Sequence, residues 1–396
     1  MKEKDNICYI ASAGAGKTTW LIESLLARRN VISNHKKIAI VTFTIKNQEV
    51  IRNKIIKKHG FIPSNIYVLG WFEFLLKYII NPYKGDIIPF LYMKHIGVQL
   101  VNSPSGIIKI GGKYKYKYKK SDIVRKYLTR NKTRIYSDKL SEFAFECISC
   151  NKENFYNRIN SIFDSIYFDE AQDFVGFDYE IIKTLIKKCS IRCIIAADPR
   201  QHTFSTHISE KYGKYSGKID VFLDKNVNTA KKEYIKIDNS FLAKSHRCIK
   251  EICELSSKLT PLYPPTVFCE CEKCVSRRNE YKGSIGCFLI KKQDVDNYVK
   301  LNNPIALTWN KTIKVHNGIK SRINFGESKG WECSSSIIYC TNTMQNWLKD
   351  PNYKLPDESR SKLYVAITRA RFITALVVDD DFDNSVIDIP FWNGNS

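Results

Sequence analysis

The sequence predicts an α/β fold in which helices cover parallel sheets. Two observations carry that expectation. Short apolar runs ("NICYI", "KKIAIVTF", "NIYVLG", "SIYF", "RCIIAA") alternate with longer stretches whose apolar residues recur at helical spacing. The first of these runs also opens into a glycine-rich turn, "ASAGAGKT", directly ahead of the helical stretch "TTWLIESLLARR". With 396 residues, 43% of them apolar, the chain has material for two or three domains with their own cores.

Taken in order, "NICYI" is a strand that ends in small residues. The turn after it follows the pattern G-x-x-x-x-G-K-[ST], with Ala11 in the first glycine position. Gly14 and Gly16 let the loop Ala13–Ala15 wrap close to phosphate oxygens, with N–H groups and the helix start at Lys17, Thr18 and Thr19 pointing inward. Lys17 would neutralise β and γ phosphates and Thr18 would hold Mg2+. The alternative is a strand-to-helix turn without a ligand.

"KKIAIVTFTIKNQEVIRNKIIKK" adds a buried strand and a helix, and "NIYVLGWFEFLLKYIINPY" adds a third pair. "SIYFDEAQDFVGFDYEIIKTL" then delivers Asp169 and Glu170 to the C-terminal edge of a buried strand, where ligands of open α/β sheets bind. One carboxylate suits Mg2+ and the other can accept a proton from an attacking water. A fifth strand, "RCIIAADPRQHTF", ends in Asp198, Pro199 and Gln201, and a polar side chain there can sense a γ-phosphate or orient water.

Composition narrows the partners. The chain carries 63 Lys and Arg against 40 Asp and Glu, a formal charge of +23, with a pI near 9.4. A field of that size attracts polyanions, nucleic acid first among them, although a solvated Lys-rich surface is the plainer reading. No run of 18 apolar residues occurs, so no membrane span is expected. The N-terminus leads straight into the phosphate loop and is not read as a signal peptide, which points to an intracellular, cytoplasmic chain. Its 13 cysteines are then expected to be reduced thiols filling core positions. Two clusters stand apart, Cys147 with Cys150, and Cys269, Cys271 and Cys274 in "CECEKC". A zinc site needs a fourth ligand, for which Cys287 or the first cluster is a candidate; incidental thiols are the preferred reading.

"ASAGAGKT", "TFTIKNQEVI", "DEAQD" and "ADPRQHTF" resemble, in order, the first motifs of the UvrD/Rep-like superfamily 1 DNA helicases. The resemblance continues in the second half. "FLAKSHRCIKEICELSSKL" is similar to the fourth motif, with Arg247 in the arginine position. "NFGESKGWECSSSIIYC" is similar to the fifth, with Lys329, Gly330 and Glu332 matching and Trp331 replacing Leu. "SRSKLYVAITRARFITALVV" is similar to the sixth, with Arg369 as its second arginine.

This resemblance implies two RecA-like P-loop NTPase domains with parallel sheets flanked by helices, plus a small 1B-type insertion. The first domain would comprise residues 1–84 and 165–240, the inserted subdomain 85–164, and the second domain 241–396. It implies ATP and Mg2+ as cofactors, Asp169 and Thr18 at the metal, Glu170 activating water and Gln201 sensing the γ-phosphate. Arg247 and Arg369 would be arginine fingers completed by domain closure, and Glu332 would meet the ribose. Single-stranded DNA is the implied partner. Phe43, Thr44, Trp71, Phe72, Phe204 and Lys329 lie where the family places nucleic-acid contacts, although Trp71 and Phe72 also suit a helix core. The run "GGKYKYKYKKSD" (Gly111 to Asp122) alternates Lys and Tyr at strand period, as a basic hairpin gripping DNA or as a solvated strand packing its tyrosines.

The pattern departs from the family in two places. Six residues precede the first strand, too few for the adenine-reading glutamine segment, which leaves ATP against GTP open. Only Thr312 to Ile323 separate "IALTWNK" from the fifth motif, so the 2B subdomain is expected to be absent, and no fused nuclease is expected after the sixth motif. Two functional readings follow from the resemblance. The first is an ATP-dependent helicase or translocase moving 3′ to 5′ on single-stranded DNA. The second is a DNA-sensing ATPase serving as regulatory subunit of a separate nuclease, as UvrD-like proteins do in some phage-defence systems.

Overall fold

The computed structural model describes residues 6–33, 35–110, 113–116, 122–203, 205–207, 209, 211–350, 352–383 and 387–394, with 107–110 and 113–116 described through their backbone. The chain divides into two compact units. The first comprises Met1–Tyr9, Thr18–Ala197 and Ser205–Asp238; the second comprises Ile10–Lys17, Asp198–Phe204 and Asn239–Ser396.

In the first unit β1 (Ile7–Ile10) leads to α1 (Lys17–Arg29), β2 (Lys37–Thr42) to α2 (Ile45–His59), and β3 (Ile66–Gly70) to α3 (Trp71–Phe74) and α4 (Asn81–Ile87). An excursion follows through β4 (Gly97–Gln99), β5 (Ile107–Ile110), β6 (Lys113–Tyr116), α5 (Ile123–Tyr127), β7 (Arg134–Tyr136), α6 (Leu140–Cys150) and α7 (Lys152–Ile162). The chain then returns to the sheet with β8 (Phe163–Phe168), α8 (Phe177–Lys188), β9 (Arg192–Ala197), α9 (Ile219–Phe222) and β10 (Lys236–Asp238). The strand order is β10-β1-β9-β8-β2-β3.

The pairings of β2 with β3 and β8, and of β8 with β9, are parallel. These strands read as nearly continuous apolar runs because helices cover both faces. Leu21, Ile22 and Leu25 of α1 and Ile51 and Ile55 of α2 pack on Ile38, Ile40, Tyr167 and Ile194. Thr44 starts α2 by accepting the Asn47 N–H (3.1 Å), and Gly60 (φ 90°) ends it by donating to Ile56. Register places Val41 beside Phe168 and Phe168 beside Ile195, so these strands end along one rim. In the excursion β5 and β6 form an antiparallel hairpin, with Ile107 opposite Tyr116. The Lys–Tyr run supplies β6, and its residues 111–112 and 117–121 lie outside the described residues.

The second unit contains β11 (Lys244–Ser245), α10 (Lys250–Lys258), β12 (Val267–Phe268), α11 (Glu272–Glu280), β13 (Gly286–Lys291), α12 (Val295–Asn302) and β14 (Ile305–Thr308). It continues with β15 (Ser321–Asn324), β16 (Cys333–Tyr339), α13 (Asn342–Lys349), α14 (Asp357–Ile367) and β17 (Ala370–Val378). Five strands form a parallel sheet in the order β13-β17-β16-β14-β15. One face buries Leu289, Leu307, Ile338 and Leu376 against α10, α13 and α14; the other buries Ile290, Ala306, Ile337 and Val377 against α12. β14 and β15 are parallel neighbours joined by residues 309–320 alone. The α/β class expected from the sequence, with parallel sheets flanked by helices, is the class observed. No described helix is long and apolar enough to cross a membrane.

Candidate functional site

The loop between β1 and α1 needs its glycines for two different reasons. Gly14 (φ 74°) and Gly16 (φ 78°) both sit in the left-handed region. A Cβ on Gly14 would also lie 2.6 Å from Arg247 Cβ and 2.7 Å from the Ser245 hydroxyl, whereas one on Gly16 would meet nothing within 4 Å. The His246 N–H donates to the Gly14 carbonyl (3.0 Å) and fixes this approach. The Ala13 N–H donates to the Tyr364 hydroxyl (3.3 Å) and the Ala15 N–H to the Ser12 carbonyl (3.1 Å). Two amides that the sequence assigns to phosphate are therefore engaged within the protein. Lys17 is 8% exposed, and its ammonium has no hydrogen bond or ion pair among the described residues. An ammonium left free of protein partners at the start of a helix is available to an anion bound there.

In the first unit the Thr18 hydroxyl donates to Asp169 Oδ2 (2.8 Å), and Thr19 Oγ1 accepts from Lys54 Nζ (2.9 Å). Asp169 is 2% exposed and follows β8 directly. A hydroxyl and a carboxylate oxygen meeting this way are hard donors of the type Mg2+ takes, so the residues fit the expected ion. Glu170 adopts φ 58°, ψ 39°, a left-handed backbone on a residue with a Cβ. It is held there by Asp169 Oδ1, which accepts the Glu170 N–H (3.1 Å), and by the Gln172 amide, which donates to its Oε2. Such outliers concentrate at functional positions.

The turn after β9 and the later arginines share the second unit. Asp198, fully buried, accepts Gln201 Nε2 (2.7 Å) on one oxygen and Arg200 Nε (2.8 Å) on the other. Arg369, 2% exposed, donates from Nε to the Val365 carbonyl (2.8 Å), from Nη1 to the Trp331 carbonyl (3.2 Å), and from Nη2 to Gln201 Oε1 (3.4 Å). Arg247 donates from Nη1 to the Thr368 carbonyl (3.1 Å) and from Nε to Glu332 Oε2 (3.1 Å). Glu332, which the family resemblance would place on a ribose, is here bound by Arg247 and Arg371. Burial pushes its carboxyl up, yet the Arg371 hydrogen bond and the charges of Arg247 and Arg371 outweigh that and hold it below the ordinary value.

The expected nucleic-acid contacts fare unevenly. Phe43 and Phe72 are partly exposed and meet edge to face with centroids 5.6 Å apart, beside exposed Thr44. Lys329 is half-buried in the turn after β15. Trp71 departs from the expectation of a base contact. It is fully buried, its Nε1 donates to Asp178 Oδ1 (2.7 Å), and it packs on Phe74 and Phe174, so its ring face is unavailable to a base and it is a core residue. Phe204 lies outside the described residues.

Arg200 is the residue that sequence reasoning passed over. It is 4% exposed, donates from Nη2 to the Ala11 carbonyl (2.8 Å) and the Ser12 hydroxyl (3.2 Å), and lies over the rings of Tyr263 and Tyr364. Burial alone would lower its pKa; the charge and hydrogen bond of Asp198 reverse that and raise it. One side chain thus ties the phosphate-loop entrance to the turn that carries Gln201. Its position between Pro199 and Gln201 in "ADPRQHTF" was the available signal.

No family model matches the sequence. Over 207 residues the chain is 26% identical to Gabija protein GajB of Bacillus cereus (strain VD045), a match covering 52% of this chain and 39% of that protein. The chain thus matches about two fifths of that relative's length. Among solved structures it is similar to Arterivirus nonstructural protein 10, a helicase in complex with DNA, at 12% identity and TM-score 0.44, covering 95% of this chain and 61% of that one. It is also similar to a variant of S. cerevisiae Dbp5 bound to RNA and ADP BeF3, at 10% identity and TM-score 0.35, covering 96% and 81%.

Proposed function

We propose that the chain is an ATP-dependent DNA helicase or translocase of the UvrD-like type, moving 3′ to 5′ on single-stranded DNA, with ATP and Mg2+ as cofactors. Lys17, 8% exposed and with no hydrogen bond or ion pair on its ammonium among the described residues, at a loop bent by Gly14 and Gly16, is the observation that carries this reading. Lys17 would neutralise the terminal phosphates, and Thr18 with Asp169 would hold Mg2+, which when bound supplies Lewis-acid stabilisation of phosphoryl charge. Glu170 is the base that would take a proton from water, and the Gln201 amide would orient that water. Arg369 and Arg247 supply guanidinium charge for the transferring group. Phe43 and Phe72 offer ring faces to bases, supported by the positive formal charge of +23.

The test is ATP turnover by the purified chain with single-stranded DNA, duplex DNA and RNA, beside Lys17→Ala. Strong stimulation by single-stranded DNA, lost in the variant, supports the motor; strand-displacement assays of both polarities then test direction. Turnover that stays flat with every nucleic acid would sink the reading.

The direct 309–320 link between β14 and β15 favours a second reading, in which a compact ATPase senses DNA and regulates a separate nuclease without unwinding duplex itself. DNA-stimulated turnover without strand displacement is the outcome that selects it.

A further inference from the structure

Four soft donors converge in the second unit, away from any residue given a role above except through the backbone. His246, Cys269, Cys271 and Cys274 place one ligand atom each within 4.8 Å of all the others. From the sequence, Cys287 or the Cys147–Cys150 pair was the candidate fourth ligand; the structure brings His246 instead, 23 residues upstream of Cys269. We infer that these four residues form a tetrahedral zinc site that braces the segment carrying Arg247.

The local fold assembles the site from two directions. β11 and β12 pair in parallel, Ser245 beside Phe268, so that His246 and Cys269 leave the ladder side by side. The Cys269 N–H donates to the Ser245 carbonyl (3.0 Å) and fixes that emergence. The chain then turns into α11, where Cys271 is the N-cap and Cys274 lies in the first turn, its N–H donating to the Cys271 carbonyl (2.8 Å). The C-x-x-C spacing across a helix start puts both thiols on the same side as Cys269.

Geometry and charge favour zinc. Zn–S bonds of about 2.3 Å and Zn–N bonds of about 2.0–2.1 Å set tetrahedral edges of roughly 3.5–3.8 Å. Cys274 Sγ and His246 Nδ1 already stand 3.8 Å apart, and the widest separation in the group is 4.8 Å, so closure needs movements of about an ångström. Three thiolates and one imidazole are soft ligands, which disfavours calcium and magnesium, and a [4Fe–4S] cluster takes four thiolates. Bound to a divalent ion the group keeps one negative charge. Arg277 stands ready to offset it, donating from Nη2 to Cys274 Sγ (3.6 Å) and to the His246 carbonyl. That guanidinium holds both a ligand and the backbone of another, as outer partners of metal sites do.

The consequence for the rest of the unit runs through His246. Its N–H is the donor to Gly14, and Arg247 follows it directly. A metal that fixes His246 therefore fixes the approach of this segment to the phosphate loop. The metal content does not depend on the proposed activity.

The test is elemental analysis of the tag-free, full-length chain after purification without added metal. A single zinc per chain is expected, retained by the exposed-thiol control Cys150→Ser and lost in Cys269→Ser/Cys274→Ser. Cobalt substitution of the unmutated chain guards against a variant that fails to fold. It should give the intense visible band of tetrahedral cobalt with sulfur-to-cobalt charge transfer in the near ultraviolet. Background zinc in the unmutated chain, zinc retained by the folded double variant, or no tetrahedral cobalt spectrum would each overturn the inference.

Discussion

Replacing Arg200 by Met removes a guanidinium that is 4% exposed and takes its charge and its Nε hydrogen bond (2.8 Å) away from Asp198, which is fully buried and keeps the Gln201 amide among its donors. Removing one partner of a buried ion pair costs about 3–5 kcal/mol, because the other charge stays desolvated. The loss of donors to the Ala11 carbonyl and the Ser12 hydroxyl lies within that range, since both acceptors belong to the same network. For a domain of roughly 150–250 residues, each kcal/mol moves the melting midpoint by about 2–4 °C, so a drop on the order of 6–20 °C is expected. Scanning calorimetry on the full chain reads it, with the second unit followed separately through the environment of its tryptophans. Arg200→Lys keeps the charge for Asp198 but loses the planar fork that reaches Ala11 and Ser12 together, so it should fall between. Asp198→Asn added to Arg200→Met should recover part of the loss, since the buried carboxylate charge that Arg200 offset is then gone. A midpoint shift below about 2 °C for Arg200→Met, or no recovery in the double variant, would refute the buried-pair account.

The glycines of the phosphate loop should separate in a paired test. Gly16→Ala incurs only the left-handed backbone cost of about 1–2 kcal/mol. Gly14→Ala adds a collision with Arg247 and Ser245, so nucleotide affinity measured by titration calorimetry should fall further for it. Phe43→Ala and Phe72→Ala should weaken single-stranded DNA binding in fluorescence anisotropy by about 1–3 kcal/mol per lost stacked base. Trp71→Phe should leave that binding intact while destabilising the first unit by about 1.5–3 kcal/mol through its lost bond to buried Asp178. Glu332 has a depressed folded-state pKa, so its pairing stabilises above its ordinary value of 4.5 and is lost as pH falls through the lower folded value. The midpoint difference between the unmutated chain and Glu332→Gln should accordingly narrow as pH falls below 4.5 and through the depressed folded value, and a difference that does not narrow on acidification would exclude the carboxylate as its source.

What could be read from the sequence was local, and the reasons are physical. Strand runs such as those at β2, β8 and β9 announce themselves because burial on both faces demands unbroken apolar residues. The loop at Gly14 and Gly16 was legible because few other sequences permit that backbone. Trp71 was not, since helical spacing says that a ring has a face to bury and leaves open whether protein or ligand covers it. Its partner, Asp178, lies 107 positions away. Arg200, Tyr364 and the pairing of Arg247 with Glu332 are likewise long-range choices, 85 positions apart in the last case. The cysteine cluster gave three ligands because they are adjacent in sequence; the fourth comes from a neighbouring strand, and only the β11–β12 ladder brings it in.

On the proposed function, the backbone at Glu170 sets a conflict between endurance and activity. A left-handed conformation costs a residue with a Cβ about 1–3 kcal/mol, and glycine would escape most of that even after its greater loss of freedom on folding. Selection for thermal resistance alone would therefore favour Gly at position 170, and with it the disappearance of the carboxylate. A heat-hardened lineage of this chain should be inspected there first, because on the proposed function gains in robustness at that position would come with loss of the base that takes a proton from water.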